Sequence, residues 1–171
     1  MTQTTRQIGY DASDKPHAWD PSAQPQFFEG VLGRRMVAFL IDVAIIFTLS
    51  VIAFIVLLVA GILTFGLTWL LLGVTFPAVA LGYNAWTLSR AESATIGMRM
   101  VGLEMRTWYG GRMYALLAAF HALLFYFSVT FLTPFVLLIA LFNERKRCLH
   151  DFFAGTVIIN NEDRARTLGR T

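Results

Sequence analysis

The distribution of basic residues along the chain is the strongest constraint on its fold. The chain carries 14 Lys and Arg residues, but none between Met36 and Ser89 or between Met113 and Glu144. Both stretches are rich in aliphatic and aromatic side chains, and the whole chain is 56% hydrophobic and 15% charged. Soluble domains use about 45–50% apolar residues. This segregation predicts that the two stretches lie in a bilayer and that the charged segments lie at its surface.

The first stretch is long enough for two membrane-spanning helices. A hydrocarbon core about 30 Å thick takes roughly 20 helical residues, so we predict spans over residues 36–60 and 67–88. Two glycines and a threonine interrupt the aliphatic residues between Ala60 and Gly66, which predicts a tight turn. Pro77 removes a backbone donor and is therefore expected to kink the second helix.

The third apolar stretch, residues 114–142, is too long for one span and too short for two spans with a turn. A single crossing would place the basic cluster Arg145–Arg147 on the side opposite to Arg34 and Arg35. That arrangement opposes the preference of basic residues for the cytoplasmic side. We therefore favour a re-entrant or short hairpin that turns near Ser128–Pro134, with a single crossing as the alternative.

The polar segments that follow the apolar stretches are expected to lie at the cytoplasmic surface. Residues 89–113 form a basic loop in which Thr95 can cap a short helix, while residues 104–107 alternate like a strand. Residues 155–160 are rich in β-branched side chains and favour a second strand that pairs with the first. The predicted fold is an all-α membrane protein, a small helical bundle with a small surface strand pair.

The two ends of the chain are polar. Residues 1–27 contain few aliphatic side chains and are predicted to be a disordered cytoplasmic tail. Residues 161–171 are predicted to be a loose C-terminal tail, so the membrane domain is expected to cover residues 28–160. No cleavable signal peptide is expected, because the segment before Gly33 is polar and the first apolar stretch is far longer than a signal-peptide core.

One acidic residue, Asp42, lies inside the first predicted span. Arg35 precedes it by about two helical turns, so a helix places both residues on one face, roughly 10 Å apart along the axis. An acidic residue at mid-helix costs about 2.5–3.5 kcal/mol of insertion free energy, which the surrounding aliphatic residues can offset. Two interpretations therefore stay open for Asp42: a functional carboxylate, which we favour, or a tolerated buried one.

The remaining titratable residues give weaker signals. His121 is expected to be a packed histidine bonded to a backbone carbonyl, with a proton relay to an intramembrane carboxylate as the alternative. Cys148, His150 and Asp151 are neighbours in sequence but lack the partners of a catalytic triad. Because His121 and His150 are expected at different depths, we predict no metal site. The sequence shows no phosphate-binding loop and no nucleophile with a base, so we also predict no cofactor and no enzymatic activity.

Three short motifs in this chain resemble the RDD family of bacterial membrane proteins. They are Arg34-Arg35-Met-Val-Ala-Phe-Leu-Ile-Asp42, Thr95-Ile-Gly97-Met-Arg99-Met-Val-Gly102-Leu and Leu149-His150-Asp151-Phe-Phe-Ala-Gly155-Thr156. The resemblance covers about residues 28–159. The family is named for one arginine and two aspartates, which the resemblance assigns to Arg35, Asp42 and Asp151, with Arg34 as the alternative arginine. Secondary candidates for site residues are His121, Thr95, Gly97, Arg99, His150 and Gly155.

The middle motif departs from the family pattern. The family usually has Gly followed by Lys, whereas this chain has Gly97-Met98-Arg99, which moves the positive charge by one position.

Asp151 is expected to pair with Arg35 or Arg99 and to hold the C-terminal segment against the first helix.

The resemblance implies a multi-pass protein of the bacterial cytoplasmic (inner) membrane with a cytoplasmic N-terminus. It further implies transport of an unidentified ion or small solute. The alternative is a non-transporting scaffold or accessory subunit that binds a partner through its basic loop and tail.

The net charge of +3 and the pI of about 9.4 fit a membrane protein without any nucleic-acid partner. Basic residues at the ends of spans attract anionic lipid head groups by about 1 kcal/mol each. The expected partners are the lipid bilayer, anionic head groups, and either further copies in a homo-oligomer or a partner membrane protein.

Overall fold

A computed structural model describes residues 19–132 and 147–169 of the chain. The described part is mostly helical, with one small two-stranded sheet. Its elements are α1 (Val31–Leu63), a 3-10 helix (Leu67–Val74), α2 (Thr75–Leu88), α3 (Ile96–Met100), β1 (Leu103–Thr107), α4 (Ala115–Leu132), α5 (Leu149–Ala154), β2 (Thr156–Asn160) and α6 (Glu162–Leu168).

Within residues 19–132 and 147–169, two helical segments are long and apolar enough to cross a bilayer, Pro25–Leu63 and Leu67–Leu88. Most of the large side chains of α1 point away from the protein, and Ile62 and Leu63 are 72% and 78% exposed. Small residues such as Ala38 and Ser50 lie on its buried face instead. Exposed apolar surface on this scale marks contact with lipid or with another protein.

The predicted break between the first two helices is confirmed. Helix α1 ends at Leu63, and Phe65 and Gly66 follow with positive φ angles of 52° and 89°. The 3-10 helix then folds back, and Trp69 donates a hydrogen bond from Nε1 to the carbonyl of Leu58 at 3.2 Å. The indole lies directly against Gly61, where any side chain would overlap the ring.

The structure places Pro77 near the start of a helix, not in the interior of the predicted span. Helix α2 begins at Thr75, so Pro77 is its third residue rather than an interior one. The first four N–H groups of a helix have no intrahelical acceptor, so proline removes no hydrogen bond at this position. The irregular part of the predicted 67–88 span is the 3-10 helix that precedes Thr75.

The third apolar stretch begins with helix α4, which continues through Ser128 to Leu132. The first part of the predicted turn is therefore helical. The rest of that turn and the remainder of the apolar stretch, residues 133–142, lie outside the described residues. Where the described chain resumes at Arg147, it lies against α4, and Ser128 Oγ faces His150 Nδ1 at 3.2 Å.

The predicted surface strand pair is confirmed. Strands β1 and β2 are antiparallel, with Leu103 opposite Asn160 and Met105 opposite Ile158. Leu103, Met105 and Ile158 are buried in a core that they share with Ala38 of α1. The short helix predicted after Thr95 is also confirmed, because the Thr95 hydroxyl accepts a hydrogen bond from the Met98 N–H at 3.1 Å.

Both ends of the chain are more ordered in the described residues than the sequence predicts. Residues 1–18 lie outside the described part, but Pro25–Phe27 form a 3-10 helix, and the next residue, Phe28, packs on β2. The prediction of a loose C-terminal tail is wrong for Glu162–Leu168. These residues form helix α6, because the Asn161 side chain caps it and acidic residues occupy its first turn.

Candidate functional site

Arg35 and Asp151 form a buried ion pair. Arg35 Nη2 lies 2.6 Å from Asp151 Oδ2, and the side chains are 12% and 0% exposed. Arg35 belongs to the first turns of α1 and Asp151 to α5, so the pair joins the first helix to the C-terminal segment. The predicted pairing of Asp151 with Arg35 is confirmed, whereas Arg99 pairs with Glu92 at 3.2 Å.

The surroundings of Asp151 favour its ionised form. Its Oδ2 atom also accepts a hydrogen bond from the Cys148 N–H at 2.9 Å, which caps α5. Burial alone would raise the pKa of Asp151, but the Arg35 guanidinium and two neighbouring histidines lower it to about 2. For His150, burial lowers the pKa to about 4, although the nearby Asp151 carboxylate acts in the opposite direction. His150 is therefore neutral at pH 7.

Two histidines face the other carboxylate oxygen of Asp151. His121 Nε2 and His150 Nε2 lie 3.6 Å and 3.5 Å from Asp151 Oδ1. The Nδ1 atoms face hydroxyl groups at 3.2 Å, Thr156 Oγ1 for His121 and Ser128 Oγ for His150. The expectations that His121 bonds a carbonyl and that the histidines lie at different depths are wrong, because α5 folds back against α4.

Arg147 also supports this cluster, although the sequence gives it only as one of three neighbouring basic residues. It donates hydrogen bonds from Nε to the Thr156 carbonyl at 2.9 Å and from Nη2 to the Asp151 carbonyl at 2.8 Å. Its guanidinium carbon lies 4.2 Å from the ring centroids of Trp108 and Phe152. Arg147 is thus buried, and it ties α5 to β2.

Asp42 binds three donors from two other parts of the chain. Its Oδ1 atom accepts hydrogen bonds from the Tyr83 hydroxyl at 2.6 Å and from the Gly97 N–H at 2.9 Å. Its Oδ2 atom accepts one from the Thr95 hydroxyl at 2.6 Å. The carboxylate therefore holds the start of α3 against α1. Tyr83 is a buried member of this group.

Gly97 permits this close contact between α3 and α1. A Cβ atom there would overlap the Ala38 carbonyl oxygen and would lie 2.9 Å from Asp42 Cγ. Glycine is thus required at this point of the middle motif by the short distance between the two helices.

Arg34 takes part in a separate contact. Its Nη1 atom donates a hydrogen bond to Asn160 Oδ1 at 3.0 Å, and Asn160 Nδ2 donates to the carbonyls of Gln26 and Glu29 at 2.8 Å and 2.9 Å. Asn160, which the sequence did not indicate, links β2 to the segment before α1. Because Arg34 does not bind Asp151, the geometry favours Arg35 as the arginine of the first motif.

A cavity of about 120 Å³ lies between α1, α2 and α4, and it is lined by Asp42 and by three neighbours of Asp151, namely Arg35, His121 and His150. Arg35 and Asp42 both line it, as expected for residues on one face of α1. Its polar and charged lining residues are Arg35, Asp42, Asn84, Thr95, His121, Tyr126 and His150.

A comparison with protein-family models decides the family. The model of the RDD family matches residues 30–155, which include Arg35, Asp42 and Asp151. This chain belongs to the RDD family. The RDD match and the two long apolar helices together indicate a membrane protein. No curated protein and no solved structure gives a match in the same comparisons.

In this RDD-family chain, the three residues that the resemblance assigns to the family name form two separate contacts rather than one site. Arg35 pairs with Asp151, and Asp42 holds α3. Four of the secondary candidates contact one of the two aspartates directly, namely Thr95, Gly97, His121 and His150.

The other two secondary candidates lie apart from these contacts. Arg99 binds the Ala94 carbonyl at 3.3 Å and pairs with Glu92. Gly155 ends α5 with a φ of 61°, a conformation that suits glycine. Their roles in the described structure are local.

Proposed function

We propose that this RDD-family chain transports a small ion or small solute across the membrane through the cavity that Arg35 and Asp42 line. The cavity itself is the observation that supports the proposal, because charged and polar groups of both signs surround it within an otherwise apolar helical bundle. Ionisable residues inside membrane bundles mark ion or substrate pathways. A volume of about 120 Å³ corresponds to a few water molecules, which limits the solute to a few non-hydrogen atoms.

Asp42 is proposed as the coupling carboxylate. Two of its three donors are hydroxyl groups, those of Tyr83 and Thr95. A hydroxyl group can rotate to offer an oxygen lone pair instead of a hydrogen. A proton or cation that reaches Asp42 would therefore compete with these donors and loosen the contact between α1 and α3.

The proposed orientation places the N-terminus, the basic loop 89–113 and the C-terminal segment in the cytoplasm. In this orientation Arg34, Arg35 and the basic loop all lie on the side that basic residues prefer. The proposed location is the bacterial inner membrane, with anionic lipid head groups at the basic surface. A homo-oligomer is proposed as well, because one chain contributes only a narrow bundle.

Flux through the purified protein tests the proposal. The protein is reconstituted in liposomes, and fluxes of H⁺, K⁺ and Cl⁻ under imposed gradients are measured with entrapped indicator dyes. We expect flux of at least one of these ions above that of protein-free liposomes, and we expect Asp42→Asn to abolish it without loss of insertion. Absence of flux for all three ions would contradict small-ion transport, and unchanged flux in Asp42→Asn would contradict the coupling role.

A second candidate function is a non-transporting scaffold or accessory subunit. The saturated hydrogen bonding of Asp42 favours it, since both oxygens already accept bonds within the chain. This function predicts no flux from the pure protein. Substitution of Asp42 or Asp151 would then lower the yield of protein and of any partner that copurifies with it.

A further inference from the structure

The cluster around Asp151 Oδ1 has the composition of a metal site. His121 comes from α4, while His150 and Asp151 come from α5, and all three residues are buried. One ligand atom from each residue lies within 4.8 Å of the other two. Two imidazole nitrogens and one carboxylate oxygen are a common protein ligand set for zinc and similar divalent ions.

The distances within the cluster are longer than those of hydrogen bonds. The histidine Nε2 atoms lie 3.5 Å and 3.6 Å from Asp151 Oδ1, whereas N–H···O hydrogen bonds span about 2.7–3.2 Å. Asp151 Oδ1 is buried and accepts no hydrogen bond within the described part of the chain. Ligands bound tetrahedrally to zinc at about 2.0–2.1 Å lie roughly 3.3–3.4 Å from one another. The two separations from Asp151 Oδ1 are therefore close to those of zinc ligands, and the two histidine ligand atoms lie within 4.8 Å of each other.

The hydrogen bonds around His150 orient its free lone pair. Ser128 Oγ donates its hydrogen to the Phe125 carbonyl at 3.0 Å, so it acts as an acceptor toward His150 Nδ1 at 3.2 Å. His150 therefore carries a hydrogen on Nδ1, which leaves Nε2, 3.5 Å from Asp151 Oδ1, as its ligand atom. A buried carboxylate oxygen that accepts no hydrogen bond is costly unless a cation lies beside it.

The other side of Asp151 is arranged to leave Oδ1 available. Arg35 and the Cys148 N–H both bind Oδ2. Thr156 Oγ1 faces Nδ1 of His121 just as Ser128 faces His150, which is the outer-sphere arrangement usual for metal-binding histidines. The cavity lined by His121 and His150 has room beside the cluster for water as a further ligand.

We propose that His121, His150 and Asp151 bind one divalent transition-metal ion of the zinc class, with a further coordination position open to the cavity. The ion ties α5, and with it the C-terminal segment, to α4. This site goes beyond the proposed transport function, because it needs no ion to cross the membrane. Its chemistry is that of a resident ion held by neutral imidazoles and one carboxylate.

Metal titration of the full-length protein tests this proposal. Protein in detergent is stripped with EDTA and titrated with ZnCl₂ by calorimetry and with CoCl₂ by visible absorption. We expect one ion per chain, an intense d–d band typical of four-coordinate Co²⁺, and a higher unfolding temperature with Zn²⁺. If the wild-type protein binds neither ion with this stoichiometry, the proposal is wrong, whatever the flux assay gives.

Three histidine variants locate the ion, because the chain has three histidines. His121→Gln and His150→Gln should each weaken binding by more than about tenfold. His17→Gln is the matched control, since His17 lies outside the described residues, and its binding should equal that of the wild-type protein. Wild-type affinity in both cluster variants, or loss of binding in His17→Gln, would overturn the assignment. The unfolding temperature of each metal-free variant shows whether it is folded.

Discussion

Arg35 and Asp151 lie 116 positions apart in the sequence, yet their side chains meet at 2.6 Å in the buried part of the protein. The contact brings the first helix and the last motif together, and the histidine cluster lies beside it. Arg35 and Asp151 are thus direct partners. Asp42 serves a different contact, with α3.

Removal of the buried ion pair should strongly destabilise the protein. Arg35→Met leaves the Asp151 carboxylate buried without its guanidinium, and we expect a loss of about 3–5 kcal/mol in the free energy of unfolding. Chemical unfolding in detergent measures the loss. The matched control is Arg166→Ala, which breaks the exposed pair with Glu162 and should cost about 0.3–0.5 kcal/mol. Equal effects of the two substitutions would show that the buried pair has no special role.

The contribution of Asp42 to the stability of the protein should come more from its acceptor oxygens than from its charge. Asp42→Ala leaves the Gly97 N–H and two hydroxyl groups without their acceptor, at about 1–3 kcal/mol for each buried group. In Asp42→Asn the amide oxygen can still accept from Tyr83 and Gly97, while the amide nitrogen donates to Thr95. We therefore expect Asp42→Asn to be more stable than Asp42→Ala and to protect the 89–113 loop better from trypsin. Equal protection in both variants would argue against this anchoring role.

Gly97 should not tolerate even a methyl group. Gly97→Ala places a Cβ atom against Ala38 and Asp42, so we expect the start of α3 to move away from α1. The expected cost is about 1–3 kcal/mol, measured by unfolding in detergent. Gly82→Ala in α2 is the matched control, because no atom lies within 4 Å of a Cβ at that position. A similar loss in both variants would mean that the close approach at Gly97 is not what matters.

The proposed orientation predicts which surface positions a membrane-impermeant maleimide reaches. The native Cys148 is only 6% exposed and serves poorly as a probe, so the test uses a Cys148→Ser background. Phe65 and Tyr109 are 100% and 82% exposed and lie on opposite sides of the proposed bilayer. In right-side-out vesicles, Phe65→Cys should be labelled at once and Tyr109→Cys only after permeabilisation. The reverse pattern would invert the proposed topology.

Features set by nearby residues could be predicted from the sequence. The Thr95 cap, the break near Gly66 and the two strands depend on residues within a few positions of one another. The cap of α6 was also readable, because Asn161 precedes two acidic residues, and the polar composition of this segment was misinterpreted as a loose tail.

Features set by tertiary contacts could not be predicted in the same way. Tyr83 approaches Asp42 only because α2 packs beside α1, and nothing in its own surroundings distinguishes it from an interfacial tyrosine. The histidine cluster depends on which face of α4 packs against α5, and the residues next to His121 and His150 in the sequence do not determine that contact. The position of Pro77 within its helix depends on where α2 begins, and α2 begins where the preceding 3-10 helix ends.

The most direct test of transport through the cavity is a substitution that fills it. Ala122 lines the cavity on α4, and Ala122→Leu adds three carbon atoms inside it. Ala115→Leu makes the same change on the exposed start of the same helix and serves as the control. In the liposome assay, we expect Ala122→Leu to reduce ion flux to the level of protein-free liposomes and Ala115→Leu to leave it unchanged. Wild-type flux through a correctly folded Ala122→Leu protein would contradict transport through this cavity.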